Sequence, residues 1–252
     1  MNVGRRVRRV HEYITSKIRN GEALHFSLID PDKVTNDKEL RKVAKELVSA
    51  GSDAFLVGGS LGVSESSVDY VVKILKEYEL PVILFPGNVS GISRYADAIL
   101  FMSLLNSDDP YFIIGAQVIA APIIAKYGLE TLPTAYIIIG YGGAAGFIGR
   151  ARPIPYDKPE ICAAYVLAAE MLGMKYVYLE AGSGAPRPIP KDFISYVSKV
   201  RRNSTLIVGG GIREPDKARE VIEAGANIIV TGTIIEKDVE RAKKIIEAIK
   251  KR

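Results

Sequence analysis

Two residues that are suited to acid–base chemistry, Tyr178 and Glu180, stand two positions apart near the end of an apolar run. The run predicts a buried strand over residues 176–180. Side chains alternate along a strand, so both residues point to the same face. A carboxylate in a partly apolar site has a raised pKa, and Glu180 is therefore predicted to be a general base. The alternatives are a buried ion pair with an arginine such as Arg187, and plain barrel packing for Tyr178.

Two glycine-rich turns follow the seventh and eighth apolar runs, at Gly209-Gly210-Gly211 and at Gly232-Thr233. Glycine lets backbone N–H groups approach an anion without obstruction by a Cβ atom. In many barrels the loops after strands seven and eight hold a phosphate. The pair of turns therefore predicts a phosphate site. The alternative is that both are only tight connections between strand and helix.

Polar residues also follow the first two predicted strands, at Asp30 and Ser60. Mg²⁺ takes few carboxylates from a protein and fills its remaining positions with water or phosphate oxygens, so Asp30 suits this ion. The alternative for Asp30 is an aspartate that caps the turn before Pro31. His25 lies inside the first predicted strand, where a packed histidine is expected rather than a catalyst.

These residues need a scaffold, and the sequence supplies eight short apolar runs with helical stretches between most of them. We predict a (β/α)₈ TIM barrel with a leading N-terminal helix. The third unit is shortened, because residues 89–95 leave little room for a helix. No linker or break in composition is visible, so residues 1–252 are predicted to be a single domain. The predicted strands are 24–29, 54–57, 81–85, 98–102, 134–139, 176–180, 206–208 and 227–230. The predicted helices are 5–20, 37–50, 65–77, 111–126, 158–172, 192–201, 215–224 and 236–250, with a long loop over 141–155.

Composition excludes several classes of protein. The chain has 252 residues, of which 48% are hydrophobic and 25% charged, as in ordinary globular proteins. It has one cysteine, Cys162, and two histidines, which excludes a disulfide framework and a multi-cysteine zinc site. The net charge of +5 comes from basic residues at the two ends of the chain, with no continuous basic stripe. No nucleic-acid partner is therefore predicted.

The sequence contains no apolar run long enough for a membrane span and no apolar core of a secretory signal. We therefore expect a cytoplasmic protein. The arginines at the start of the chain predict a solvated helix face. A peripheral contact of these arginines with anionic lipid is the alternative.

Several of these motifs together resemble a known family, the archaeal geranylgeranylglyceryl phosphate synthases, which are similar to the bacterial heptaprenylglyceryl phosphate synthases. The resemblance extends from residue 24 to the last helix. Its most specific parts are the runs Ile29-Asp30-Pro31-Asp32-Lys33 and Tyr178-Leu179-Glu180-Ala181-Gly182-Ser183-Gly184-Ala185. Further matches are His25-Phe26-Ser27-Leu28, Gly58-Gly59-Ser60, Ala151-Arg152-Pro153-Ile154-Pro155 and Val208-Gly209-Gly210-Gly211-Ile212.

The resemblance implies an Mg²⁺-dependent prenyltransferase that joins sn-glycerol 1-phosphate to geranylgeranyl diphosphate, forming the first ether bond of an archaeal lipid. It implies that Asp30 and Ser60 bind the Mg²⁺ that holds the diphosphate, and that Glu180 activates the hydroxyl, with Tyr178 beside it. The residues implied to hold glycerol phosphate are Tyr178, Leu179, Glu180, Ala181, Gly182, Ser183, Gly184, Gly209, Gly210, Gly232 and Thr233.

The sequence departs from the family pattern once, since Gly140-Tyr141 stands where Glu-Pro is expected before Gly142-Gly143. This departure leaves open the conformation of the fifth loop and the closing of the prenyl groove. The groove itself is expected near Phe101, along residues 111–125 and beside residues 144–148. These stretches also fit plain core.

Two other functions fit the residues. One is a phosphosugar isomerase or lyase that uses Asp30 and Glu180 as its acid and base and needs no Mg²⁺. The other is a non-catalytic binder of a phosphate ligand. Apolar helix surfaces lead us to expect a homo-oligomer, a dimer or a hexamer, under any of the three.

Overall fold

In a computed structural model, eight parallel strands close into one barrel in sequential order, each strand paired with its neighbours along the chain and β8 paired with β1. The structure describes residues 9–59 and 62–250. The predicted TIM barrel is confirmed. The strands are β1 (Leu24–Ile29), β2 (Ala54–Val57), β3 (Val82–Leu84), β4 (Ala98–Leu104), β5 (Glu130–Ile138), β6 (Tyr176–Glu180), β7 (Thr205–Gly209) and β8 (Ile228–Thr231).

Helices surround the barrel and close its ends. They are α1 (Val10–Arg19), α2 (Asp37–Ala50), α3 (Glu65–Leu75), α4 (Ala116–Tyr127), α5 (Gly143–Ile148), α6 (Pro159–Met171), α7 (Lys191–Val200), α8 (Pro215–Glu223), α9 (Thr233–Lys237) and α10 (Val239–Lys250). The third unit has only a single 3₁₀ turn, Val89–Gly91, between β3 and β4, as its short sequence predicts.

Alternating side chains along each strand build two separate apolar layers. Residues such as Phe26 and Tyr178 point into the barrel and form one cluster. Residues such as Val57 and Leu179 point outward and pack beneath the helices in a second cluster. Both faces of every strand are therefore buried, which explains the nearly continuous apolar runs of the sequence.

The leading helix α1 closes the amino-terminal end of the barrel. Val10 and Ile14 are buried against the interior cluster. Glu130, at the start of β5, accepts hydrogen bonds from the backbone N–H groups of Val10, at 2.6 Å, and His11, at 3.0 Å. A carboxylate at this helix end satisfies otherwise unpaired donors and complements the helix dipole. The helix begins at Val10, so the predicted start at residue 5 lies outside the described residues, as do Arg5, Arg6 and Arg8.

Four predictions about local structure were wrong. The single helix predicted over 236–250 is instead two helices, α9 and α10, which separate at Asp238. The strand β5 begins at Glu130, four residues before its predicted start, although Pro133 lies within it. The predicted loop over 141–155 contains the helix α5. The predicted helix over 111–126 begins instead with a wider π turn, Tyr111–Gly115, before α4.

No helix in residues 9–59 and 62–250 is both long and apolar enough to cross a bilayer.

Candidate active site

One cleft opens at the carboxyl-terminal end of the barrel strands, where the active sites of such barrels lie. Polar backbone and side chains from the first, sixth, seventh and eighth loops line one part of it. Apolar side chains from β4 and α4 line the other. Of the predicted site residues, the cleft is lined by Asp30, Tyr178, Glu180, Ser183, Gly184, Gly210, Gly232 and Thr233.

Glu180 lies at the end of β6 and is 6% exposed. Its Oε1 atom accepts a hydrogen bond of 2.6 Å from the backbone N–H of Gly182. Burial raises the pKa of Glu180, and hydrogen bonds from this N–H and from the hydroxyls of Tyr136 and Tyr178 partly oppose the rise. The group is thus a carboxylate whose proton affinity is raised, as a general base requires.

The predicted alternative for Glu180, an ion pair with Arg187, is not formed. The guanidinium of Arg187 lies instead over the ring of Tyr156, 4.7 Å from its centroid. In the described part of the chain no lysine or arginine lies within 4.0 Å of the Glu180 carboxylate. The carboxylate is held by neutral donors alone.

Tyr178 belongs to a group of three aromatic rings inside the mouth of the barrel. Its ring stacks on Phe85 at 5.3 Å between centroids and meets Tyr136 edge to face at 5.2 Å. Sequence reasoning did not select Tyr136, although the register of β5 against β6 places it beside Tyr178. Burial and the charge of Glu180 raise the pKa of both tyrosines well above the ordinary value, so both hydroxyls stay protonated and donate to Glu180.

Two glycines of the seventh turn are required by these neighbours. A Cβ atom on Gly209 would overlap the hydroxyl of Tyr178. Gly210 has φ +86°, and a Cβ there would lie 2.6 Å from Oε1 of Glu180 and 2.7 Å from the Gly182 nitrogen. The turn therefore lies directly against the Glu180 carboxylate, and only glycine allows this approach.

The sixth and eighth loops meet through their hydroxyl groups. The Oγ atom of Ser183 lies 3.1 Å from Oγ1 of Thr233. Gly184, Gly210 and Gly232 line the cleft beside them. The arrangement brings hydroxyls and sterically open backbone to one spot, which is the chemistry of a phosphate cradle.

Four of the predicted substrate-binding residues do not line this cleft. Leu179 and Ala181 are fully buried, and their side chains pack in the outer layer beneath the helices. Gly209 contacts Tyr178, and Gly182 contacts the backbone of Gly142. These four support the residues that do line the cleft.

Asp30 lines the cleft at the first loop, directly after β1, which pairs with β8. Its Oδ1 atom accepts a hydrogen bond of 3.1 Å from the backbone N–H of Asp32, so the predicted turn cap is present. A Cβ on Gly59 would overlap the Asp30 carboxylate, and glycine at this position leaves the carboxylate accessible. Burial raises the pKa of Asp30. The second predicted metal ligand, Ser60, lies outside the described residues.

Glu236 is a second acidic side chain at this side, and sequence reasoning did not select it. It lines the cleft from α9, and burial and the charge of Asp30 raise its pKa. No group of three or more potential His, Cys, Asp or Glu ligands occurs in residues 9–59 and 62–250. Mg²⁺ needs only one or two carboxylates when phosphate and water supply the rest, so the donors present fit this ion.

The apolar part of the cleft is an arm between β4 and α4. Phe101 and Met102 line it from the strand, and Ala116, Ala120 and Ile124 line it from the helix. The fifth loop adds a further wall; it comprises Ala145, Ile148 and Gly149. The three stretches that the sequence indicates for a prenyl groove all contribute to this one arm.

The departure at Gly140-Tyr141 has a structural basis. Gly140 has φ +67°, and the ring of Tyr156 occupies the space that a Cβ would need. The Gly140 N–H donates a hydrogen bond of 2.8 Å to the carbonyl of Ile154. Glycine at this position lets the fifth loop return against its own strand.

Comparison with known proteins identifies relatives across nearly the whole chain. A model of the PcrB family matches residues 16–251. A geranylgeranylglyceryl phosphate synthase of Saccharolobus solfataricus is 56% identical over 242 residues, 96% of this chain and 94% of the relative. One of Sulfolobus acidocaldarius is 53% identical over the same shares.

A solved structure gives the same result. The (S)-3-O-geranylgeranylglyceryl phosphate synthase of Thermoplasma acidophilum, crystallised in complex with its substrate sn-glycerol-1-phosphate, superposes with a TM-score of 0.92. The sequence identity is 38%, and the match covers 98% of this chain and 100% of that one.

Proposed function

Because the chain belongs to the PcrB family, we propose that it is a prenyltransferase that joins sn-glycerol 1-phosphate to geranylgeranyl diphosphate and so forms the first ether bond of an archaeal membrane lipid. The observation that carries the proposal is a single cleft with a phosphate cradle in one part and an apolar arm in the other. Glu180 lines the same cleft and can act as the base.

The cradle binds the phosphate of the glycerol substrate. The Ser183 and Thr233 hydroxyls and the open backbone of the seventh and eighth turns supply its donors. This attachment fixes the free hydroxyl of glycerol near Glu180. Holding the two reactants in place removes much of the entropic cost of a reaction between two molecules.

Glu180 then accepts the proton of that hydroxyl. The glycerol oxygen forms a bond to the first carbon of the prenyl chain, while the bond from this carbon to the diphosphate oxygen breaks. The diphosphate leaves with the electron pair. Tyr136 and Tyr178 donate hydrogen bonds to Glu180 and hold the carboxylate toward the substrate.

The reaction is proposed to depend on Mg²⁺, held by Asp30 and Ser60. When bound, the ion neutralises charge on the departing diphosphate. The chain's own contribution is the accessible Asp30 carboxylate beside Gly59, with Glu236 on the same side of the cleft.

The apolar arm is proposed to hold the geranylgeranyl tail. Its walls carry alanines at Ala116, Ala120 and Ala145, which leave space where larger side chains would fill it. A phosphosugar isomerase would have no use for such an arm, and neither would a simple phosphate binder. The arm therefore favours the prenyltransferase over both alternatives.

A product assay tests the proposal. Purified protein is incubated with sn-glycerol 1-phosphate and prenyl diphosphates of graded length, with and without Mg²⁺. We expect an ether product with the twenty-carbon donor only when Mg²⁺ is present. Absence of an ether product with every donor would overturn the transferase, and turnover of sugar phosphates without Mg²⁺ would support the isomerase.

Two substitutions on one helix sharpen the assay. Ala120→Phe fills the arm and is expected to shift the preferred donor to a shorter chain, because Ala120 lines the cleft. Ala121→Phe adds the same bulk at an exposed position of α4 and is expected to leave the preference unchanged. Equal effects of the two variants would contradict the location of the tail.

A homo-oligomer is also proposed. Several side chains of α4 are apolar and exposed, among them Val118 at 64% and Ile119 at 54%. Burial of such a surface between copies of the chain would stabilise an assembly. Light scattering coupled to size exclusion measures the mass: a mass of two or six chains is expected, and a mass of one chain would contradict the proposal.

A further inference from the structure

The charged side chains that line the cleft are mostly of the wrong sign for its substrates. Asp30, Glu180 and Glu236 are acidic, whereas a phosphomonoester and a diphosphate are both anions. Among the described residues that line the cleft, Arg213 is the only lysine or arginine. Its position therefore matters for how the site attracts a phosphate.

The guanidinium of Arg213 is held at the cradle by the sixth loop. Its Nη2 atom donates hydrogen bonds to the carbonyl oxygens of Gly184, at 3.1 Å, and Ala185, at 2.7 Å. Gly184 itself lines the cleft. The positive charge thus lies beside the loop that carries Ser183.

These two bonds leave most of the guanidinium available. The group has five N–H donors, and both bonds use Nη2. In the described part of the chain Arg213 has no carboxylate partner within 4.0 Å, in contrast to Arg219 and Arg241, which pair with Asp216 and Glu214. Arg213 is exposed, so a ligand that enters the cradle can reach it.

The backbone around Arg213 is fixed against the sixth loop at two further points. A Cβ on Gly210 would lie 2.6 Å from Oε1 of Glu180, and a Cβ on Gly211 would lie 2.5 Å from the carbonyl oxygen of Arg187. The turn that precedes Arg213 therefore packs closely against Glu180 and the sixth loop. The guanidinium is oriented before any ligand binds, which lowers the entropic cost of binding.

We propose that Arg213 is a phosphate-binding residue of the glycerol phosphate site, oriented by its two bonds to the sixth loop and recognising the phosphomonoester dianion through its free N–H groups. The inference rests on the proposed function, and it adds a residue outside the glycine turns. Guanidinium groups suit this task because their planar donors match phosphate oxygens.

The test uses Arg213→Gln and Arg213→Lys in the full chain. Binding of inorganic phosphate and of sn-glycerol 1-phosphate is measured by calorimetry, and KM is measured for both substrates. We expect Arg213→Gln to lower the affinity for inorganic phosphate and for sn-glycerol 1-phosphate by about 10- to 100-fold, since charged hydrogen bonds of this kind are lost. The KM for the prenyl diphosphate is expected to change by less than about 3-fold, because the diphosphate lies at the Asp30 side.

Arg213→Lys retains the charge and loses the planar fork, so we expect it to recover part of the affinity. We expect the KM for glycerol phosphate to rise with salt in the parent, and we expect this dependence to be weaker in Arg213→Gln. A purely structural role would move neither the salt dependence nor one KM alone. The control is Arg219→Gln, an exposed arginine of α8 paired with Asp216, which should bind phosphate as the parent does.

Unchanged phosphate binding in Arg213→Gln would overturn the inference, and so would an equal loss of affinity for both substrates. Thermal unfolding followed by circular dichroism verifies that the variants are folded. A parent protein that makes no ether product, yet binds phosphate in an Arg213-dependent way, would overturn the proposed function and leave the inference standing. A parent that makes the ether product, together with unchanged phosphate binding in Arg213→Gln, would overturn the inference and leave the proposed function standing.

Discussion

The two ends of the barrel treat buried carboxylates in opposite ways. At the amino-terminal end, Asp53 accepts hydrogen bonds from Lys17 at 2.9 Å, from Lys250 at 2.5 Å and from the backbone N–H of His25 at 2.8 Å. At the carboxyl-terminal end, Glu180 has no cationic partner among the described residues and is held by one backbone N–H and two tyrosine hydroxyls. Two lysines balance the charge of the carboxylate at the amino-terminal end, whereas the carboxylate at the carboxyl-terminal end has no cation beside it and has a raised pKa.

This difference indicates that the carboxylates at one end stabilise the fold, while those at the other end are available for chemistry. The carboxylates at the base tie helices to strands: Asp53 joins α1, α10 and β1, and Glu130 joins β5 to α1. The carboxylates at the mouth keep capacity for a proton or a cation. Active sites commonly hold such incompletely neutralised groups, at a cost in stability that the rest of the fold offsets.

The largest expected effect comes from Glu180→Gln. Loss of the base should lower kcat by about 10²- to 10⁴-fold. The free energy of unfolding should stay the same or rise, because a neutral amide is cheaper to bury than a carboxylate without a cation. Turnover is measured in the ether-product assay, and stability is measured by denaturant unfolding.

Glu223→Gln is the control for this variant. Glu223 is an exposed residue of α8 that pairs with Lys191 at 3.0 Å, and its loss should leave both turnover and stability almost unchanged. If Glu180→Gln turned over as fast as the parent, Glu180 would not be the base of the reaction.

The second effect is a loss of stability at the base. Asp53→Asn removes the carboxylate partner of Lys250 and one of the two carboxylate partners of Lys17, which keeps Glu22 at 2.8 Å. We expect the free energy of unfolding to fall by about 2–4 kcal/mol. The kcat of the folded fraction should be retained, because Asp53 lies at the end of the barrel opposite the cleft. Denaturant unfolding measures the loss.

Asp216→Asn provides the comparison for the base, since its pair with Arg219 is exposed and should contribute less than about 1 kcal/mol. If both variants lost the same small amount, the ion pairs at the base would not have the stabilising role assigned to them.

The last effect is a pH dependence of stability at His25, which joins the two ends. It is fully buried, and its Nε2 lies 2.9 Å from Oγ1 of Thr231, directly before the eighth turn. Burial, assisted by the charge of Lys250, lowers its pKa from 6.5 to about 3. Between about pH 6.5 and pH 3, His25 therefore binds a proton in the unfolded chain but stays neutral in the folded chain.

It follows that the free energy of unfolding falls as the pH is lowered from about 6.5 to about 3, by at most about 1.4 kcal/mol per pH unit from this group. His25→Gln should be less stable than the parent at pH 7, and this difference should narrow on acidification. The two chains are compared by denaturant unfolding at pH 7, 6, 5 and 4. Parallel curves would show that His25 titrates normally.

Local patterns explain much of what the sequence predicted correctly. Eight apolar runs, separated by helical stretches, indicate a barrel because a parallel sheet must be buried on both faces. The spacing of Tyr178 and Glu180 places both in the mouth because side chains alternate along a strand.

The errors also have physical causes. The helix α5 is rich in glycine, which disfavours helices, and it was predicted as loop. Its start is held by tertiary contact, since Gly142 and Gly143 pack against Gly182 and Ser183. The early start of β5 was missed because Pro133 argues against a strand, yet pairing with β4 continues through it.

The sequence by itself determined the barrel, the glycine turns and the place of Glu180 at the mouth, because each depends on a short repeated pattern along the chain. Only the tertiary structure decided which groups surround Glu180 and the other residues of the cleft. Tyr136 and Glu236 are far in sequence from Glu180 and Asp30, on which they act. Arg213 follows the predicted seventh turn, but only the fold brings its guanidinium to Gly184 and Ala185. Closure of the barrel brings the ends of all its strands to one mouth, and non-local contacts of this kind cannot be found from spacing alone.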